Sequence, residues 1–184
     1  VDFVICNTDS QALEASPVPI KIQLGASLTE GLGAGANPEV GRKAAEESAD
    51  RITELLDANT KMLFLTAGMG GGTGTGAAPV IAEIAREKGI LTVGVVTIPF
   101  STEGGFRKKY ADDGIAELKK YVDTLLVINN EKLIEVYGDL TFTQAFGKAN
   151  EVLNTATKGI AEVISQHLMV NIDLNDARRV LENS

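Results

Sequence analysis

The chain has 184 residues and a formal net charge of −8, and 44% of its residues are hydrophobic. This length predicts one well-packed domain, and the negative charge argues against a surface that holds nucleic acid or anionic lipid. The single cysteine, Cys6, excludes a disulfide within the chain and a thiolate metal cluster, and the single histidine, His167, excludes a multi-histidine metal site.

No apolar run approaches the roughly 20 residues that cross a bilayer, and the first residues show no secretory signal pattern. We therefore expect a cytoplasmic protein with no direct membrane insertion. The chain starts at Val1 inside a strand pattern and stops after a few turns of helical pattern at 176–184. These ends indicate a piece of a longer protein.

Short apolar runs alternate with longer amphipathic stretches, which is typical of βαβ units packed as a mainly parallel sheet. The runs at 62–68 and 91–98 are almost continuously hydrophobic, so we expect both strands at the centre of the sheet. Asn37 precedes a proline and suits the cap of a helix. In chain order, strands are predicted at 2–6, 20–25, 62–68, 91–98 and 124–129, and helices at 38–56, 77–88, 106–121, 131–136 and 141–165.

The stretch GMGGGTGTGAAP at 68–79 lies between a predicted strand and a predicted helix. Glycines let backbone N–H groups converge on a phosphate, and a helix start adds about half a positive charge. Thr73 and Thr75 can add hydroxyl donors. A tight turn needs only one or two glycines, so the six found here favour a phosphate-binding loop. The pattern G-x-x-x-x-G-K-[ST] does not occur, so no P-loop lysine is available.

A second glycine-rich loop, GLGAGANPE at 31–39, precedes the helix predicted from residue 38. Gly31, Gly33 and Ala36 satisfy G-x-G-x-x-A, which keeps a dinucleotide oxidoreductase open as an alternative. The match is weak because the polar residues at 26–30 separate it from the preceding strand. Two phosphate-binding loops at one sheet edge suit a triphosphate better than a pyrophosphate.

Three polar stretches elsewhere carry further candidates. In NTDSQAL, Asp9 either caps a helix or orients a metal-bound water. In PFSTEGGFR, Glu103 suits ribose hydroxyls and Arg107 suits a phosphate, although both also suit the first turn of a helix. In NIDLND, a loop and helix start carry three candidates, for which a plain Asn/Asp cap is the alternative: Asn171, Asp173 and Asp176.

Taken together, these loops resemble the GTPase domain of the tubulin/FtsZ family. GGGTGTG at 70–76 is the family signature, and NTDSQAL, GLGAGANPEVGR, VTIPFSTEG, NNEKL and NIDLND follow in the family's order across the chain. The resemblance implies an α/β, three-layer Rossmann-like fold with a mainly parallel sheet. It implies GTP or GDP as ligand, with Mg²⁺ bridging the phosphates. It also implies a GTP-binding domain over 1–170, followed at 171–184 by the synergy loop and the start of a helix leading to a second domain.

The resemblance also assigns roles to individual residues. By it, Asn130, Phe146 and Asn150 contact guanine, while Glu103 and Arg107 contact the ribose and a phosphate. Asp173 and Asp176, with Asn171 in the same loop, act on the nucleotide of the neighbouring subunit, where carboxylates can orient water or hold a cation. The phosphates are embraced by Gly70, Gly71, Gly72, Thr73, Gly74 and Thr75, with Ala34, Gly35 and Ala36 nearer the γ-phosphate.

The family's activity is GTP hydrolysis coupled to head-to-tail polymerisation. The resemblance therefore implies filaments of this protein at the bacterial division site, with other cell-division proteins as partners. Head-to-tail contacts are heterologous and propagate into open filaments. A catalytically silent, tubulin-like structural or partner-binding module is the alternative, against which the acidic loop argues.

The family's first strand, a further phosphate loop and its first helix precede what is Val1 here. In the strand order 3-2-1-4-5-6, that first strand lies between the strands predicted at 2–6 and 62–68. We therefore expect these two strands to lose their shared neighbour. We also expect the chain alone to bind GTP weakly and to hydrolyse it negligibly.

Overall fold

The protein has an α/β fold in which parallel strands are joined by helices. The computed structural model describes residues 2–138, 140–169 and 181. Within them, β1 pairs with β2, and β3, β4 and β5 pair in that order, all in parallel. The predicted class and strand direction are confirmed. The strands are β1 (Val4–Asn7), β2 (Ile20–Gln23), β3 (Met62–Gly68), β4 (Leu91–Ile98) and β5 (Thr124–Asn129).

Helices of very different length connect and follow these strands. In chain order they are α1 (Ser10–Ala15), α2 (Ala26–Thr29), α3 (Pro38–Glu47), α4 (Ala49–Leu55), α5 (Thr73–Glu87), α6 (Gly105–Leu118), α7 (Asn130–Tyr137) and α8 (Phe142–Met169), with a 3-10 turn at Ser101–Glu103. The sequence did not predict α1 and α2, which have only 6 and 4 residues and so show no helical period. In the part of the chain that the structure describes, no helix is long and apolar enough to span a membrane.

The single helix predicted over 38–56 is wrong, because the chain divides into α3 and α4 at Ser48. The Ser48 hydroxyl accepts a hydrogen bond from the Gly25 N–H at 3.0 Å. This bond ties Ser48 to the loop before α2, and the chain turns at Ser48, where φ is −96° and ψ is 13°. The start of α3 is as predicted: Asn37 caps it by accepting from the Glu39 N–H at 3.0 Å, with Pro38 in the first turn.

The predicted start of α5 is also wrong, since the helix begins at Thr73 and not at residue 77. Its first turn contains Gly76, which lies against α3: a Cβ built there would be 1.9 Å from the Pro38 carbonyl oxygen. A Cβ on Gly41 of α3 would likewise be 2.2 Å from the Gly72 carbonyl oxygen. Gly41 and Gly76 therefore allow the backbones of α3 and α5 to touch.

Helix α5 contributes to the buried core of both sheets. A buried cluster that contains Ile22, Ala44 and Ala77 joins β2, α3 and α5. A second cluster that contains Ala82 and Val96 joins α5 to β4. The central position predicted for 91–98 is confirmed, since β4 has a paired neighbour on each side.

The central position predicted for 62–68 is wrong, because β3 is an edge of its sheet. Among the described residues β1 pairs with β2 alone, so β1 and β3 lack a shared neighbour there, as expected from the sequence. A cavity of about 860 Å³ lies between these two strands and is lined by both of them.

Candidate nucleotide-binding site

Three loops meet beyond the carboxyl ends of β1 and β3. The hydroxyl oxygens of Thr8 and Thr73 lie 2.6 Å apart, and the Gly33 N–H donates to the Thr8 carbonyl oxygen at 3.2 Å. A Cβ built on Gly72 would lie 2.7 Å from the Ala34 Cβ. The two glycine-rich loops that the sequence predicts to bind phosphate therefore touch each other at one sheet edge.

The start of α5 supplies hydrogen-bond donors at this edge. The first N–H groups of a helix have no partner inside it, and the helix dipole places partial positive charge there. In α5 these N–H groups belong to Thr73, Gly74 and Thr75. Helix α5 has 15 residues, and the backbone donors at its start form a suitable site for an anion.

The glycines of this loop serve different purposes. Gly70 has φ +108°, a conformation that side chains rarely adopt. Gly72, Gly74 and Gly76 lie so close to other backbone that a Cβ would approach it within 2.8, 2.4 and 1.9 Å. Around Gly71, no heavy atom of the described residues lies within 4 Å of a Cβ position. Folding thus explains most of these glycines, whereas Gly71 borders open space that a ligand can enter.

The two threonines of the loop also differ. Thr75 is buried, and its hydroxyl oxygen accepts from the Gly70 N–H at 2.8 Å. It therefore holds the loop in shape from inside. Thr73 is half-buried at the start of α5, so part of its side chain is accessible. Of the two hydroxyl donors predicted from sequence, Thr73 is the better placed for a ligand.

The second loop has an unusual backbone. Gly35 and Ala36 follow one another with φ +59° and +58°, and both are exposed, whereas Ala34 is buried against Gly72. A left-handed conformation costs a non-glycine residue about 1–2 kcal/mol. Strain of this kind gathers at functional sites, where surrounding structure maintains it.

The loop after β4 lies beside the first glycine-rich loop. A Cβ on Gly70 would lie 3.0 Å from the carbonyl oxygen of Arg107, which places the start of α6 next to the phosphate loop. The carboxylate of Glu103 is already engaged within its own turn, since it accepts from the Phe100 N–H at 2.7 Å. The structure therefore places the backbone of Arg107 beside the phosphate loop, and one carboxylate oxygen of Glu103 caps its own turn.

The loop after β4 is also tied to the start of α7. The Glu131 carboxylate accepts a hydrogen bond from the Ser101 N–H, and this bond holds the pKa of Glu131 below its usual range. Asn130, beside Glu131, is 4% exposed. Its Oδ1 has no hydrogen-bond partner among the described residues. A buried unpaired acceptor costs about 1–3 kcal/mol, so this oxygen is suited to receive a donor from a ligand.

The comparisons with known proteins settle the family. Residues 1–138 match the model of the Tubulin/FtsZ family, GTPase domain. The chain belongs to the tubulin/FtsZ family. It is 55% identical over 182 residues to the cell division protein FtsZ of Coxiella burnetii, covering 98% of this chain and 47% of that relative. It is 53% identical over 184 residues to the FtsZ of Porphyromonas gingivalis, covering 100% of this chain and 40% of that relative.

A solved structure agrees with this assignment. An FtsZ dimer from M. jannaschii matches with a TM-score of 0.92 and 47% identity, over 98% of this chain and 52% of that one. The Rossmann-like tubulin/FtsZ fold predicted from the sequence is therefore confirmed. The chain spans less than half the length of the two curated relatives.

The other residues predicted from the tubulin/FtsZ resemblance lie on α8 and beyond it. Asn150 is an exposed residue of α8, a helix that packs against α7 and β4. Phe146 belongs to the same helix, and its side chain lies outside the described part of the structure. Asn171, Asp173 and Asp176 also lie outside the described residues, so their predicted catalytic role stays a prediction.

Two findings concern residues at the end of β1. Asp9 is the cap of α1, because its carboxylate accepts from the N–H groups of Gln11 and Ala12 at 2.9 and 3.2 Å. The cap interpretation of Asp9 is thereby confirmed. Sequence reasoning missed Thr8, which reaches the phosphate loop directly. The signal available was its position between a strand and the polar residues of NTDSQAL.

Proposed function

We propose that this chain is the guanine-nucleotide-binding part of a GTPase that polymerises head-to-tail. The observation that carries the proposal is the contact between the 31–36 loop and the 70–72 loop at the start of α5. It gathers backbone donors from two glycine-rich segments at one place. A triphosphate presents enough anionic oxygens to use both segments.

Asn130 supports guanine as the base. Its buried Oδ1 lacks a partner among the described residues, and guanine presents N–H donors on its pyrimidine edge. Adenine lacks the N2 amino group, so it presents fewer N–H donors to this acceptor. We propose that Phe146 stacks on the base, that Asn150 contacts its edge, and that Glu103 reaches the ribose while Arg107 reaches a phosphate.

Mg²⁺ fits this proposal as a bridge between phosphates. Within the described residues, no group of three or more acidic, histidine or cysteine side chains is placed to hold a metal ion. Mg²⁺ keeps several waters and often relies on substrate phosphates for its remaining contacts. The bound ion would neutralise phosphate charge, and the N–H groups at the start of α5 would position the phosphates.

Polymerisation and hydrolysis in trans are proposals for the whole protein. The relatives are named cell division protein FtsZ, and the M. jannaschii structure is a dimer of FtsZ. We propose that residues 1–170 bind the nucleotide and that 171–184 lead to a second domain. In the filament, the nucleotide of the next copy would be acted on by Asn171, Asp173 and Asp176. The filament would form in the cytoplasm at the division site. Other division proteins would be its partners there.

The 184-residue chain alone should bind GTP weakly and turn it over negligibly. The cavity between β1 and β3 supports this expectation, because it adjoins Asn7 and Thr73 at the proposed site. Among the described residues no strand pairs with both sheets, and loops on two separate sheets are less rigidly placed than loops on one continuous sheet. Robust GTP hydrolysis by the purified 184-residue chain would contradict this expectation.

Nucleotide selectivity tests the proposed function. A fluorescent GTP analogue is bound to the whole protein and displaced with GTP, GDP, ATP or NAD. We expect GTP and GDP to displace it at much lower concentration than ATP or NAD. Tighter binding of ATP would overturn the choice of base, and tighter binding of NAD would favour the dinucleotide oxidoreductase. Light scattering with the same nucleotides tests whether polymers form with GTP in particular.

The trans-acting role is tested separately with Asp176→Ala in the whole protein. We expect GTP to bind normally and filaments to form while turnover falls strongly. Unchanged turnover in the variant would show that the carboxylate has no such role. Wild-type filaments that bind GTP without any turnover would favour the silent structural module.

A further inference from the structure

A side-chain hydrogen bond links the end of β1 to the start of α5. The hydroxyl oxygens of Thr8 and Thr73 lie 2.6 Å apart, although the two residues are 65 positions apart in sequence. β1 belongs to one sheet, and α5 follows β3 of the other sheet. The bond therefore connects the two sheets directly at the edge that carries the glycine-rich loops.

Thr8 is itself firmly held. Its carbonyl oxygen accepts from the Thr29 hydroxyl at 3.3 Å and from the Gly33 N–H at 3.2 Å. Its own N–H donates to the Asn7 Oδ1 at 2.8 Å. Thr8 thus joins the segment that leads into the 31–36 loop to the first residue of the phosphate-binding helix.

Burial decides which hydroxyl donates. Thr8 is 0% exposed, so its proton cannot reach water and needs an acceptor in the protein. In the described part of the chain, Thr73 Oγ1 is the acceptor recorded for it. A hydroxyl has one donor and two acceptor positions. If Thr8 donates, the half-buried Thr73 keeps its own proton for an acceptor outside the protein, such as a ligand oxygen.

We propose that Thr8 is a positioning residue for the phosphate-binding loop: it donates to Thr73 Oγ1 and so directs the Thr73 O–H toward the bound anion. The inference rests on the proposed function, since the anion is a nucleotide phosphate. Thr8 does not touch the ligand in this scheme. It fixes the half-buried hydroxyl of Thr73, whereas the hydroxyl of Thr75 is buried and bonded within the loop.

The test compares Thr8→Val, which keeps the shape and removes the hydroxyl, with Thr8→Ser, which keeps the hydroxyl. Thr92→Val is a matched control, because Thr92 is also 0% exposed and its hydroxyl donates to the Ile90 carbonyl oxygen at 3.1 Å. Thr92 lies at the start of β4, the opposite end of the strand from the loops. All variants are made in the whole protein.

Binding of GDP and of guanosine is measured for each variant. Loss of one hydrogen bond corresponds to about a threefold to tenfold loss of affinity. We expect Thr8→Val to lose this factor for GDP and to bind guanosine normally, because guanosine has no phosphate. Thr8→Ser and Thr92→Val should stay within about twofold of the wild type. In a Thr73→Val background, Thr8→Val should cause no further loss, since both act through one contact.

Hydrogen exchange of the nucleotide-free protein gives a second measurement that does not require the proposed function. Backbone amides at 70–75 should exchange faster in Thr8→Val and not in Thr92→Val. If GDP binds to neither wild type nor variants, the proposed function fails, and the exchange rates alone decide the role of Thr8. Unchanged exchange at 70–75 overturns the inference. An equal loss for GDP and guanosine, or additive losses with Thr73→Val, overturns it as well.

If Thr8→Val does not fold, hydroxyl protons in the wild type decide the matter. NMR of threonine-labelled protein should show a Thr8 hydroxyl proton protected from exchange with water. The Thr73 hydroxyl proton should exchange quickly without nucleotide and become protected when GDP is added. Protection of Thr73 with rapid exchange of Thr8 would reverse the direction of the bond and refute the inference.

Discussion

Replacing Gly76 with alanine should destabilise the protein by forcing α3 and α5 apart. The added Cβ would lie 1.9 Å from the Pro38 carbonyl oxygen and 2.6 Å from the Arg42 nitrogen, whereas real Cβ contacts stay above 3.0 Å. The helix backbones would therefore have to separate by roughly 1 Å at their closest contact. Both obstructing atoms are backbone, so neither can move aside as a side chain does.

The magnitude follows from two opposing effects. Overpacking of a close contact costs about 1–3 kcal/mol, and we take the upper value because backbone must move. Alanine regains about 1 kcal/mol over glycine from helix propensity. The free energy of unfolding should fall by about 2 kcal/mol. For a domain of this size, the melting temperature should fall by about 4–8 °C.

The assay is urea unfolding followed by circular dichroism, with Gly159→Ala as the matched control. Gly159 is also helical, in α8, and no heavy atom of the described residues lies within 4 Å of its Cβ position. The control should therefore gain about 0.5–1 kcal/mol from propensity alone. If Gly76→Ala were as stable as Gly159→Ala, the reasoning on backbone contact between α3 and α5 would be refuted.

Three further predictions concern Gly71, Asn130 and Cys6. Gly71→Ala should leave the free energy of unfolding within about 0.5 kcal/mol of the wild type, because the new Cβ enters open space beside the loop. The same Cβ should weaken GTP binding at least about tenfold. Normal GTP binding in a titration would show that Gly71 does not border the bound nucleotide. Asn130→Ala should abolish the preference for GTP over ATP while costing at most about 1 kcal/mol in unfolding, since its oxygen has no partner among the described residues. Burial raises the pKa of Cys6 from 9.0 to about 11, so its thiol stays neutral up to that pH and should react with iodoacetamide at pH 8 about 100-fold more slowly than the unfolded chain. Equal rates in folded and unfolded protein would contradict that protection.

The parts of the fold that follow from local sequence could be predicted closely. The strands at 62–68, 91–98 and 124–129 have the predicted bounds. Each is an apolar run with β-branched residues that ends at Gly68, before Pro99 or at Asn129, and such a pattern is sufficient to predict a strand. The cap of α3 was likewise readable, because Asn37 and Pro38 act through their own backbone neighbours.

The parts that depend on distant neighbours could not be read from the sequence. The break at Ser48 involves a loop whose Gly25 N–H donates to the serine hydroxyl, and Gly25 lies 23 positions away in sequence. The edge position of β3 depends on which strand stands beside it, whereas its composition is that of a central strand. The contact of Thr8 with Thr73 arises only when two sheets are placed side by side.

The candidate site shows the same division within one loop. The sequence prediction assigned Gly70, Gly71, Gly72 and Gly74 to the phosphates, yet the structure gives all of these but Gly71 a reason in packing or in backbone conformation. The two purposes are connected. Because Gly41 and Gly76 let α3 and α5 touch, the starts of both helices, at Pro38 and Thr73, lie side by side. Two helix starts place two positive dipole ends at one sheet edge, which a single glycine-rich turn would not do. The close packing that makes Gly76→Ala destabilising is thus also what brings the two phosphate-binding loops together.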